Sequence, residues 1–206
     1  SLPGDGGDAG PNEPPAGRYP TGPIRLEVGA GQNDSGAGFD RTYVTTSPLS
    51  TQDRLTAELV AAVINDRLFS RVREELGASY GGGSAAVRSG YLNSGDTTFE
   101  ISVDGDPVRL DEIKDAVDDE LNTLLTDGPT AADLAEAKAV LSNDLQFFSN
   151  FDLLEALLAG YLDGTSNDPF AEPSAVSAID AADVSAMARR LMADENLIEV
   201  TRRPGG

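Results

Sequence analysis

The 206-residue sequence contains no cysteine and no histidine. Without cysteine there is no disulfide framework, no thiolate metal site and no thiol nucleophile. Without histidine, a Ser-His-Asp triad and any histidine-ligated zinc site are excluded as well. A carboxylate-only metal site stays open in principle but has no spacing signature. The calcium-loop pattern of alternating acids around a central Gly and a closing Glu does not occur. Long apolar runs are also missing: none approaches the roughly 20 residues that a membrane helix needs. No basic stretch followed by an apolar core opens the chain, so no signal peptide is expected. Basic residues are scarce, 15 against 35 acidic ones, for a formal charge of −20. Such a surface repels nucleic acid and anionic membranes. The acids are spread over helix faces rather than gathered in a tail. Solubility is their ordinary role, and attraction of basic partners is the alternative.

What remains is enough for a folded core. Hydrophobic residues make up 39% of the chain and recur with helix and strand periods. Residues 1–23 are rich in Gly, Pro and Asp and read as a flexible linker or tail. One α+β domain is expected over 24–206. Ile24 to Val28 alternates at period two, predicting a strand with one buried face, and Arg41 to Thr46 predicts a second. Ser50 or Thr51 caps a helix carrying Leu55, Leu59, Val63, Leu68, Val72 and Leu76, and Gly77 stops it. Two antiparallel strands follow, one within Tyr80 to Val87 and one with Phe99, Ile101 and Val103 on one face. Asp106 caps the next helix, with Leu110, Ile113, Val117, Leu121 and Leu124 on its apolar side. Thr130 and Asp133 resemble a capping box for a further helix. Phe151 to Leu162 is strongly apolar and helical, and is expected to be well buried. Asp180 caps a last helix, and Leu197 to Val200 is a closing strand. This order lacks strict βαβ alternation. It predicts an α+β fold, a mostly antiparallel sheet with helices packed on one face.

Three stretches invite a chemical reading. Gly81-Gly82-Gly83 lacks the Lys-Ser or Lys-Thr of a phosphate loop and does not open a helix. A closely approached strand segment is the simpler account, with a peptide groove as a middle case. Asp118-Asp119-Glu120 lies on the solvent side of an amphipathic helix and reads as a solvated face. Asn65 to Tyr80 differs, because residue type and spacing coincide there.

Arg67-Leu68-Phe69, Arg73-Glu74, Gly77 and Tyr80 resemble a signature in the second-type domains of the pitrilysin/insulinase family of inverted zinc metallopeptidases, which extends to the mitochondrial processing peptidases. The resemblance covers roughly 24–202, through the helix from Leu110, the Thr130 helix start, the apolar 147–162 stretch and the closing strand. It implies one half of a clamshell whose other half carries an inverted H-x-x-E-H zinc motif. Arg73 and Tyr80 are implied as substrate-binding residues that hold a peptide backbone near the scissile bond. The chemistry is apt: Arg offers a fixed fork of donors to carbonyls, and a Tyr hydroxyl can donate to a carbonyl oxygen gaining charge. The plain alternative is an Arg satisfying a helix C-terminus and a Tyr that merely starts a strand. This sequence departs from the family in the Ala62 to Asp66 stretch, where a Gly-rich run is common, and at Ser79.

With no histidine, the zinc-bearing half is not in this chain, which alone should be inactive. The implied partners are a zinc-bearing N-terminal half or separate catalytic subunit, and a peptide substrate. No nucleic acid and no membrane are expected, and a homodimer is left open. The implied function is a zinc-free, substrate-binding half of a metalloendopeptidase, with a non-catalytic scaffold or assembly module of the same fold as the alternative. The compartment stays open between bacterial cytoplasm and extracytoplasmic space. For Arg73 and Tyr80 to share a surface, Gly77 must turn the chain back, because seven helical residues would separate them by about 10 Å.

Overall fold

The computed structural model describes residues 22–29, 36–45, 49–79, 81–89, 97–146, 149–151, 153–154, 157–158, 171–193 and 196–204. The five strands among them are β1 (Ile24–Gly29), β2 (Ala37–Thr45), β3 (Ser84–Ser89), β4 (Thr97–Gly105) and β5 (Leu197–Arg203). They form one sheet in the order β1-β5-β2-β4-β3. The β1/β5 pair is parallel, and the β5/β2, β2/β4 and β4/β3 pairs are antiparallel. The mostly antiparallel expectation holds. The helices are α1 (Thr51–Leu68), α2 (Leu110–Asp127), α3 (Ala131–Asp144), α4 (Glu172–Ala178) and α5 (Ala181–Leu191).

Alternation on the strands decides which face the helices cover. On β4, Phe99, Ile101 and Val103 are buried while Thr98, Glu100 and Ser102 between them are not. Registered neighbours share a face, which puts Phe39, Arg41 and Tyr43 of β2 and Leu197, Glu199 and Thr201 of β5 on the same covered side. α1 is the central helix of that layer, packed on β3, α3 and α5. It buries Leu55, Leu59, Val60, Val63, Ile64 and Leu68. Each fully buried Leu or Phe contributes about 1.5–3 kcal/mol, and Phe39, Phe99, Leu55, Leu59 and Leu68 are all of this kind.

The helix starts follow the cap residues. Ser50 with Asp53, Thr130 with Asp133, and Asp180 with Asp183 each form a reciprocal capping box. Asp106 caps a single 3₁₀ turn, Pro107–Arg109, that leads into α2. Proline suits that first turn because its missing N–H has no helical partner there.

Two expectations fail. The predicted buried face of β1 is open: Leu26 is 53% and Val28 42% exposed. Period two correctly marked a strand, but β1 is an edge strand and those residues share the uncovered face with Ile198 and Val200. The apolar stretch after α3 is not well buried either. Its described residues are helical, yet Phe151, Leu154, Leu157 and Leu158 are about half or more exposed. Hydrophobicity measures a demand for cover, and these four residues stay exposed. The linker expectation for 1–23 falls almost wholly outside the described residues. Among the described residues no helix is long and apolar enough to cross a membrane.

Candidate functional site

The end of α1 does not stop as a regular helix. From Phe69 to Glu75 the backbone widens into a π-helical segment, and Leu76 N–H donates to Arg71 O at 3.1 Å. The step of five from Val63 to Leu68 lies within regular α1, where Ile64, four before Leu68, is buried too, and Val72 is the buried residue of the π segment. π segments inside helices are frequent at functional sites.

Gly77 then adopts φ +59°, and Ala78 N–H donates back to Val72 O at 3.2 Å. A left-handed residue there reverses the chain and uses up a helix-end carbonyl. Arg109 completes the cap by donating to Leu76 O at 2.7 Å. Asp106 N–H donates to Ala78 O at 3.0 Å, which ties the reversal to the end of β4.

The reversal carries the glycine run back over the π segment. A Cβ on Gly82 would lie 2.9 Å from Phe69 Cα and 3.5 Å from Arg73 Cβ. One on Gly83 would meet Val103 and Leu68 side chains at 3.0 and 3.2 Å. Both glycines have positive φ. The run is therefore a closely approached backbone segment, as its composition suggested, and β3 begins only at Ser84. Ser79 is buried and its hydroxyl accepts from Gly82 N–H at 3.2 Å, closing the loop on itself.

Within this frame Arg73 is exposed, with its guanidinium 4.7 Å above the centre of the Phe69 ring. Stacking of this kind holds a planar guanidinium against an aromatic face. Tyr80 lies outside the described residues. Glu74 is exposed as well. Arg67 has a different task. It donates to Asp133 Oδ2 at 2.6 Å and to Gly128 O at 3.3 Å. It thus pins α1 to the start of α3. Burial alone would raise the Asp133 pKa, but the hydrogen bonds from Arg67 and Thr130 hold it below the usual carboxylate range.

Beside Phe69 opens a groove of about 650 Å³ between α1, α3 and β3, with Ala62, Phe69, Val87, Val140 and Leu141 in its walls. Glu58, Asp66, Glu136 and Asp144 also line it. Burial pushes the Glu58 carboxyl up; Arg54 opposes this, and Glu172 and Asp144 add to it. Asn65 reaches from α1 to the sheet edge, donating to Ala85 O at 3.0 Å and accepting from Ala85 N–H at 2.5 Å. That side chain mimics a neighbouring strand. Residues two apart on a strand point their N–H and C=O the same way, so Val87 carries the next outward pair, at the groove.

Sequence reasoning missed Phe69 as the support of Arg73, and Asn65, Ser79 and Arg109 as the devices that shape the turn. Only Phe69 had a signal, at i−4 from Arg73 on a helix. It also missed a second charged cluster. Arg41, 6% exposed, donates to Glu199 at 2.7 Å and to Asp118 at 2.5 Å. Lys114 donates to the other Glu199 oxygen at 2.7 Å and to Thr201 at 3.1 Å. Burial would raise the Glu199 pKa, but the hydrogen bonds from Lys114 and Arg41 outweigh it and hold the group down. Every charge in this cluster is satisfied within it, which suits a structural role.

The sequence has no His or Cys, and among the described residues no group of three or more acids could hold a metal ion.

The family model described as the peptidase M16 inactive domain matches residues 14–141. No curated protein matches the sequence. Solved structures do match in fold. The periplasmic protease PqqL from Escherichia coli has TM-score 0.71 and 17% identity, over 90% of this chain and 21% of that one. A protease from Helicobacter pylori has TM-score 0.78 and 12% identity, over 89% of this chain and 44% of that one. A chain of Complex III2 from Candida albicans, with Inz-5 bound, has TM-score 0.68 and 16% identity, over 87% of this chain and 45% of that one. The chain thus spans between a fifth and a half of the structures it resembles. At these identities the likeness is one of fold. The family match, the fold and the Arg67–Gly77 motif on its π turn agree: the chain belongs to the peptidase M16 family, the pitrilysin/insulinase metallopeptidases, as an inactive domain.

Proposed function

We infer that this domain binds a peptide chain and positions it for hydrolysis by a zinc-bearing half that it does not itself contain. The observation that carries the reading is the return of the chain at Gly82 onto the turn of Arg73. That return is what a shared Arg73 and Tyr80 surface requires. Arg73 is stacked on Phe69 and exposed, and a guanidinium fork is a residue type suited to peptide carbonyls. The adjoining groove and the outward backbone groups at Val87 suit an extended segment added to the β3 edge. Zinc and the base that activates water belong to the partner half, on the same polypeptide or another.

The test is Arg73→Ala and Tyr80→Phe in the protein assembled with its zinc-bearing half. Loss of one oxyanion-type donor costs about 2.7–4 kcal/mol, a 10²–10³-fold drop in kcat. Tyr80→Phe is expected to fall in kcat by about that much, and Arg73→Ala to lose in kcat/KM, both with unchanged melting temperature. Full activity in both variants would sink the assignment.

A second reading keeps the fold as an assembly module without catalysis. The exposed apolar residues Leu26 and Val28 of β1, with Phe151, Leu154, Leu157 and Leu158, favour it. An upstream or neighbouring H-x-x-E-H motif supports the peptidase reading, and its absence from both supports the module.

A further inference from the structure

The sheet edge opposite β3 borders a second cavity. It measures about 300 Å³ and is walled by α2, β1, β5 and the end of α5. That volume is at the lower end for small-ligand sites. Leu121, Met192 and Leu197 give it an apolar wall. The rest of the lining carries charge.

Four of the five charged groups around it are spent on one another. Arg41 and Lys114 take the two Glu199 oxygens at 2.7 Å each, and Arg41 also donates to Asp118. Two cations and two acids cancel. Arg25 of β1 is left over. Its register partner on β5 is Glu199, and registered neighbours share a face. Arg25 therefore stands on the helix side of the sheet, lining the cavity from an exposed position. Among the described residues it makes no hydrogen bond and no ion pair. A guanidinium offers a fork of N–H donors whose spacing matches a carboxylate. Asn122 lines the same cavity and is exposed. It lies four residues on from Asp118, on the same helix face, and its amide has donors to add. In a chain of 35 acids and 15 bases, a cavity with one cation in excess stands apart from the surface around it.

We propose that this cavity binds a carboxylate carried on a short apolar group. The carboxylate meets Arg25 and Asn122, and the apolar group packs against Leu121, Met192 and Leu197. One negative charge matches the one spare cation. A phosphate brings more charge and would face Asp118 and Glu199 with no second counter-ion, and like charges brought together are costly. The C-terminal residue of a peptide and a free small carboxylic acid share the favoured chemistry. The site is independent of Arg73, which belongs to the other edge of the sheet.

The test is a titration of the 206-residue chain, labelled with ¹⁵N, with N-acetyl-leucine, followed through its backbone amide shifts. At about 0.15 M NaCl the repulsion from distant acids is screened beyond about 8 Å. A ligand of about a dozen non-hydrogen atoms at ordinary efficiency has a Kd of about 1 mM, and the shifts should centre on Arg25, Asn122 and Leu197. N-acetyl-leucine amide keeps the apolar group and lacks the charge, and should bind at least about tenfold more weakly. Arg25→Gln should weaken N-acetyl-leucine by a similar factor with an unchanged melting temperature, because Arg25 is exposed and carries no bond among the described residues. Acetyl-dialanyl-leucine separates the two sources. Tighter binding than N-acetyl-leucine identifies a peptide C-terminus as the ligand, and weaker binding identifies a free small acid. Absence of saturable shifts up to about 20 mM, more than tenfold above the expected Kd, overturns the proposal. So does equal binding of acid and amide, undiminished binding to Arg25→Gln, or tighter binding of inorganic phosphate at the same residues.

Discussion

Buried charge is where single residues matter most in this domain. Glu199 lies 4% exposed between Arg41 and Lys114, each at 2.7 Å. Removing its charge leaves two cations beside a low-dielectric core, and breaking one side of a buried pair typically costs about 3–5 kcal/mol. Glu199→Gln should therefore lower stability by about 3 kcal/mol at pH 7. The pH dependence has a definite sign. The folded pKa of Glu199 is depressed, because its two donors outweigh burial. Its contribution is present above the unfolded-state value and disappears as the pH falls through the folded one. Urea unfolding from pH 7 downward should show wild type and Glu199→Gln converging in the acid range. A constant gap down to the lowest pH would mean that packing, not charge, sets the cost.

At the scale of elements, the π segment and its glycines are the feature on which the site depends. Gly77 and Gly82 both have positive φ, but their surroundings differ. A Cβ on Gly77 has open space, with Arg73 O at 4.0 Å as its nearest neighbour. Gly77→Ala then costs only the left-handed strain, about 1–2 kcal/mol. On Gly82 a Cβ meets the Phe69 backbone at 2.9 Å, and backbone cannot step aside as a side-chain tip can. Gly82→Ala should lose more stability than Gly77→Ala and also shift Phe69 and Arg73. Calorimetry gives the ranking, and peptide binding to the assembled enzyme gives the effect on the site. Equal losses would show that the close approach is not rigid. The same pair of glycines shows how far the sequence was legible. Caps at Ser50, Thr130 and Asp180, and the stop at Gly77, depend on local chemistry and were readable. The π widening left no trace in the apolar spacing, because the step of five from Val63 to Leu68 lies within regular α1, before it. The clasp of Asn65 on Ala85 and the Arg41 cluster with Glu199 join residues 20 and 158 apart, and no local period records such a partnership. The exposed Leu26 and Phe151 stripes were read as apolar, correctly, but whether cover comes from within the chain is set by tertiary layout.

For the whole molecule the dominant quantity is charge. The 35 acids exceed the 15 bases by 20. Most of the described bases are already committed to short ion pairs, among them Arg41, Arg54, Arg67, Arg109, Lys114 and Arg203. Exposed pairs are worth about 0–1 kcal/mol each and act over a few ångströms. The excess acids repel one another across the whole surface, an effect that salt reaches more readily. Raising NaCl from about 0.05 to 0.5 M should therefore stabilise the fold, shortening the Debye length from about 14 Å to about 4 Å. For a domain of this size each kcal/mol raises the melting temperature by about 2–4 °C, and a gain of that order is expected. A melting temperature that rises with salt reports relief of self-repulsion among the acids. One that falls would mean that the ion pairs outweigh the repulsion among the acids, and that this acidity serves a basic partner rather than solubility.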